Sequence, residues 1–135
     1  MNLNNMTILR GRLVSDPVTF ANKDGSHKVK FTIACENNYK DRETGKRESQ
    51  MIPVEAYTKD LAASPFSKIH KGDKISAECS LRNNNYEKDG KPVYDTIVFV
   101  EAIQFEESKS VTDARAAEYA AKAAAATVPA APAQA

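Results

Sequence analysis

Between residues 6 and 105 apolar and polar side chains alternate with a period of two, and this feature commits most of the chain to strands rather than helices. The segment TILRGRLV, residues 7–14, sets Leu9 and Leu13 on one face and Arg10 and Arg12 on the other. It stops at Ser15-Asp16-Pro17, a turn signal. Val29, Phe31, Ile33 and Cys35 then share one face, with Lys28, Lys30 and Thr32 opposite. Residues 50–57 read as a third strand, in which Pro53 argues for an edge or a bulge, and residues 73–82 as a fourth. A fifth, residues 93–105, is apolar on both parities around Ile97 to Val100, the pattern of a strand covered on both sides.

Gly25, Gly45 and Gly90 follow Asp24, Thr44 and Asp89 and mark three turn tips inside charged loops. Gly11 lies within the first strand, where a bulge or a sharp barrel bend is the usual reason. Between the third and fourth strands, Leu61, Ala62, Phe66 and Ile69 have roughly helical spacing, and Gly72 sits where such a helix would end. Ser64-Pro65 supplies an N-cap and a first-position proline. Three strands, one helical piece and two strands is the layout of an OB-fold: an all-β, five-stranded barrel with a short helix between strands 3 and 4.

From residue 111 the composition changes, and residues 114–135 hold 13 alanines in 22 positions. Val111 to Ala126 is predicted as a marginal helix with little apolar surface for docking, and the Ala/Pro stretch after Thr127 as disordered. The expected division is a barrel domain over residues 1–107 and an Ala/Pro-rich tail over residues 108–135.

Nineteen Lys and Arg against eighteen Asp and Glu give a net charge of +1, which excludes a wholesale polybasic binder. Any affinity for nucleic acid must come from where the charges sit. No apolar run approaches a membrane span or a secretory signal, so a cytoplasmic protein without a membrane partner is expected. Cys35 and Cys79 each fall on the apolar parity of their segment, and His27 and His70 are isolated. Buried reduced thiols are therefore expected, and neither a disulfide, a metal site nor a cofactor.

No catalytic constellation, phosphate loop or nucleophile elbow is visible, so no enzyme is expected. Aromatic residues do occur among cations and amides. Asn37-Asn38-Tyr39-Lys40 leads into the loop tipped by Gly45, and Arg82-Asn83-Asn84-Asn85-Tyr86-Glu87-Lys88 into the one tipped by Gly90. Exposed tyrosines stack on unpaired bases while nearby cations meet phosphates, and duplexes hide the base faces, so this pattern suits single strands. Tyr39 and Tyr86 have a second reading, as clasps on the roots of their own hairpins. Tyr57 and Tyr94 lie within strands and are expected to be partly buried.

The run from Asn5 to Pro17 (NMTILRGRLVSDP) resembles the first strand and turn of the bacterial single-stranded DNA-binding protein family. Phe31-Thr32-Ile33-Ala34, Tyr39-Lys40-Asp41 and Thr44-Gly45 are similar to its second strand and hairpin. Val54 through Leu61-Ala62, Lys71-Gly72-Asp73 and Leu81-Arg82 continue the series in order, over roughly residues 5–105. The resemblance implies an OB-fold that binds single-stranded DNA without strong sequence preference during replication, recombination or repair. It also implies a homo-oligomer, tetramer or dimer, formed partly through first-strand pairing. Tyr39 and Tyr86 fall where the family usually has stacking tryptophans, Tyr57 near a base-contacting phenylalanine and Met51 near a further tryptophan. The expected site therefore stacks bases on Tyr39, Tyr57 and Tyr86, with Arg12, Lys28, Lys30, Lys40, Arg82 and Lys88 on phosphates. The chain departs from the family in having no tryptophan, so weaker binding per nucleotide is expected. Arg10 stands where an apolar residue is usual. The last acid is Glu118, and without an acidic tip no tail-mediated recruitment of replication or repair proteins is expected. Two alternatives remain: an OB-fold module that grips another protein, and one that binds RNA.

Overall fold

The computed structural model describes residues 2–127; the disorder expected after Thr127 falls outside the described residues. The strands are β1 (Thr7–Leu13), β2 (Val18–Ala21), β3 (His27–Glu36), β4 (Ser49–Thr58), β5 (Lys74–Asn83), β6 (Tyr86–Lys88), β7 (Lys91–Val93) and β8 (Thr96–Phe105). One helix, α1 (Lys109–Thr127), follows them.

The alternating residues do what the pattern requires. Val29, Phe31 and Ile33 of β3, Val54 and Ala56 of β4, Ile75, Ala77 and Cys79 of β5 and Val100 of β8 all turn into one buried core. Fully burying a side chain such as Ile33 contributes about 1.5–3 kcal/mol. The strands run in the order β1-β5-β8-β4-β3, and β1 returns to β3 at Arg12↔Ala34 and Leu13↔Ile33, closing the five-stranded OB barrel. All contacts are antiparallel except β4–β8, which pair in parallel at Glu55↔Phe99 and Ala56↔Val100. Closure depends on Gly11, because a Cβ built there would collide with the Ala34 carbonyl oxygen. Pro53 sits in β4 beyond the two residues that pair with β8, so that edge of the strand is open at the proline.

Several expectations need correction. The helical piece between the third and fourth barrel strands is a single 3-10 turn, Pro65–Ser67, whose Phe66 plugs the core with its ring centroid 6.3 Å from that of Phe31. The segment is too short, and too interrupted by Ser64-Pro65, to build an α-helix. Residues 93–105 are not one strand: Val93 ends a small β6–β7 hairpin around Asp89-Gly90, Tyr94 and Asp95 break the run, and β8 begins at Thr96. The left-handed backbone at both Asp89 and Gly90 (φ 54° and 76°) suits so tight a turn. β2, absent from the sequence reading, adds to the free part of β3's edge. Tyr57 and Tyr94 are exposed rather than partly buried, at 46% and 78%. Cys79 is buried, but Cys35 is only half-buried, and both are free thiols.

Helix α1 docks through polar groups rather than an apolar stripe. Arg115 reaches Glu107 at 2.7 Å and the buried Asp73 at 3.4 Å, and Lys71 lies 5.5 Å from the Tyr119 ring centroid. Among the described residues no helix is long and apolar enough to cross a membrane.

Candidate nucleic-acid interface

Strand register brings the outward parity of β3 together with its neighbours. Phe20 of β2, Lys28 of β3 and Tyr57 of β4 lie in one row across three strands. The next row runs Val18, Lys30, Glu55 and Phe99 across four. β5 adds Arg82, paired with Ile97 of β8. Two shallow clefts of about 640 and 310 Å³ follow these rows, sharing Glu55 and Ile97 in their walls.

Charges and rings interleave on this surface. Lys30 Nζ lies 3.2 Å from Glu55 Oε1 and 5.7 Å from the Phe20 ring centroid, while Lys28 Nζ lies 4.0 Å from Glu55 Oε2. Both lysines remain 48% exposed, so solvent screens these pairs and each adds well under about 1 kcal/mol. Arg82 places Cζ only 3.6 Å from the Phe99 centroid and Nη2 3.8 Å from Glu101 Oε1. Beside Tyr57, the Asp24 carboxyl is held below its ordinary range by the Ser26 hydroxyl and then the Ser26 N–H, with Tyr57 the least of the causes.

Two loops carry the rest of the expected site. The β3–β4 loop exposes Tyr39 at 62% together with Lys40. Its tip is ordered by Asp41, whose side chain accepts the Glu43 and Thr44 N–H groups and is held below the usual carboxylate range by them. The β6–β7 hairpin, rooted on Asn83 and Thr96 beside Arg82, exposes Tyr86 and Lys88. Tyr39 stands free on its loop, whereas Tyr86 lies opposite Val93 at the root of its hairpin, the position of a clasp, and is 47% exposed. Met51 is exposed on the outward parity of β4, opposite Ala34.

Arg12 stands apart from this surface. Its Nη1 donates to Glu107 Oε1 at 3.0 Å and to the Gly72 carbonyl at 3.0 Å, on the outer side of β1 and β5. Glu107 is pulled down to about 2, first by Arg115 and then by the Lys74 N–H and Arg12. Three residues of the cation-and-ring surface were not expected from sequence: Phe20, Phe99 and the acid Glu55. Phe99 had a signal, the double-parity apolar run. Phe20 and Glu55 become visible only through strand register.

No group of three metal-ligating side chains occurs among the described residues. A further cleft of about 530 Å³ lies between the 3-10 turn and α1, lined by Lys68, His70, Phe105 and Asp113 among others. It is built from other elements and shares no residue with the ring-and-lysine surface.

The profile of the single-strand binding protein family matches residues 4–106. Single-stranded DNA-binding protein 1 of Staphylococcus aureus is 34% identical over 110 residues, 81% of this chain and 69% of that protein. Single-stranded DNA-binding protein 1 of Streptococcus pyogenes is 32% identical over 106 residues, 78% of this chain and 79% of its own length. Among solved structures, a Plasmodium falciparum SSB in complex with ssDNA matches with a TM-score of 0.62 at 19% identity, over 79% of this chain and 97% of that one. That last likeness is one of fold.

Proposed function

Since the chain belongs to the single-strand binding protein family, we propose that it binds single-stranded DNA without strong sequence preference, coating and protecting it during replication, recombination or repair. The observation that carries this reading is the outer surface on which Lys28, Lys30 and Arg82 interleave with Phe20, Tyr57 and Phe99. Phosphates need fixed cations along a track, and unpaired bases need flat apolar faces between them. Tyr39 with Lys40 and Tyr86 with Lys88 extend the same chemistry onto two loops. Arg12 joins the path only by exchanging Glu107 for a phosphate. The binding unit is residues 1–107, with 108–135 as an appendage.

The protein acts by binding, with no enzymatic activity, in the cytoplasm. It works as a homo-oligomer, tetramer or dimer. Among the described residues β1 is paired in register with β3 only at Arg12 and Leu13, which leaves the start of that β1 edge, with Ile8 62% exposed, for a second copy.

Fluorescence anisotropy of a labelled oligo(dT), titrated at two salt concentrations beside a duplex control, tests the reading. Salt-sensitive binding to the single strand is the expected result, and no binding at low salt sinks it. The variant carrying both Tyr39→Ala and Tyr86→Ala should bind at least about tenfold more weakly, since stacking contributes roughly 1–3 kcal/mol per base, with an unchanged melting temperature.

A further inference from the structure

Arg82 lies much closer to its ring than Lys30, which stands 5.7 Å from the Phe20 centroid. Its guanidinium carbon sits 3.6 Å from the Phe99 centroid, a stacking distance, with Glu101 at 3.8 Å on its edge. Phe99 is half-buried beneath it, while the Arg82 side chain is 51% exposed. A phosphate is met either by lysine's point charge or by the in-plane N–H fork of a guanidinium, and neither contact uses a face of the plane. The guanidinium differs in being planar and weakly hydrated, and it stacks on π systems. With one of its two faces on Phe99, the other is left for a second flat group.

We propose that Arg82, backed by Phe99, is a base-stacking platform rather than a phosphate clamp, and that a nucleobase of the bound strand lies on its free face. This rests on the single-strand reading above and deepens it. The position is apt: Phe99 pairs with Glu55, two residues along β4 from Tyr57, so two stacking faces lie on adjacent strands of one surface. Beside them on β3, across β4 from Phe99, Lys28 and Lys30 supply charge for the neighbouring phosphates. Glu101 holds the plane in place from the side, so the platform is oriented before the strand arrives and loses little freedom on binding.

Arg82→Lys separates the two roles, because it keeps the charge and removes the plane. Anisotropy titrations would compare wild-type, R82K and F99L proteins on an oligo(dT) and on an abasic strand of the same length, each over a range of salt. The platform predicts that R82K weakens oligo(dT) binding by about five- to tenfold while leaving the abasic strand and the salt slope unchanged. F99L, which removes the backing ring, should move in the same direction. Circular dichroism melts check that both variants keep the wild-type fold, and R82K carries the conclusion if F99L does not. If R82K binds oligo(dT) like the wild type, or loses equally on both strands, Arg82 is a phosphate contact and the platform is wrong. A wild-type protein that binds neither strand overturns the single-strand reading itself, and the platform with it.

Discussion

Glu55 stands in the middle of the cationic surface, and its removal should make the protein bind single strands more tightly. Its carboxylate lies 3.2 Å from Lys30 Nζ and 4.0 Å from Lys28 Nζ, so these three residues together carry one positive charge rather than two. A phosphate settling between the lysines must displace the carboxylate or sit beside it. Two negative charges about 6 Å apart, at a dielectric between a protein surface and bulk water, repel by roughly 1 kcal/mol. Glu55→Gln removes that term and keeps the side-chain shape. The expected gain is about fivefold in affinity for oligo(dT) at low salt. The plot of log affinity against log salt should also steepen, by up to about 0.7 if one more phosphate is neutralised. The folded state gives up little, because both ion pairs are half-exposed and such pairs contribute about 0–1 kcal/mol. Anisotropy at three salt concentrations, with a thermal melt as control, measures all of this. Unchanged or weaker binding by a folded E55Q protein would falsify the placement of phosphates between Lys28 and Lys30.

Gly11→Ala should destabilise the barrel by about 3 kcal/mol or more, because its Cβ would land on the Ala34 carbonyl oxygen where β1 crosses to β3; an unchanged melting temperature would refute the closure described above. Acid should loosen α1. Glu107 is depressed to about 2 from 4.5, so the stability it lends is complete above about 4.5 and is lost as pH falls towards 2; hydrogen exchange of the α1 amides should quicken over that window, and Arg115→Ala should remove most of the effect. Burial pushes the Cys79 thiol up to about 11, and burial likewise raises Cys35, so iodoacetamide at neutral pH should label the native protein far more slowly than the unfolded chain.

Much of the fold is legible in particular stretches. The parity of Val29, Phe31 and Ile33 against Lys28 and Lys30 is the parity of core against surface in β3. The expected helix over Val111 to Ala126 lies within α1, because alanine favours helix wherever nothing opposes it. What docks that helix was not legible, since the Arg115 contacts with Glu107 and Asp73 carry no periodic signal. β2 escaped notice because VTFA is exposed throughout and shows no alternation of burial. Tyr94 and Asp95 were read through as strand because their neighbours are apolar, although Asp95 spends its carbonyl on the Asn84 N–H at the base of the hairpin.

The candidate site divides along the same line. Which residues face outward on a strand is a local property, since side chains alternate and the hydrophobic set must turn inward; the linear sequence therefore determined that Lys28, Lys30 and Arg82 would be surface cations. It also determined that Tyr39 would stand on a long loop, whereas Tyr86, read as leading into another loop, opens strand β6 of a tight hairpin. Which outward residues become neighbours is set by register between strands far apart in sequence, and only barrel closure decides it. That closure placed Glu55 between two lysines, brought Phe20 and Phe99 to the same surface, laid Arg82 on a ring, and took Arg12 away to Glu107. The physical reason is that a strand's inward face is chosen by its own hydrophobicity, whereas its lateral alignment is chosen by the whole set of backbone ladders at once.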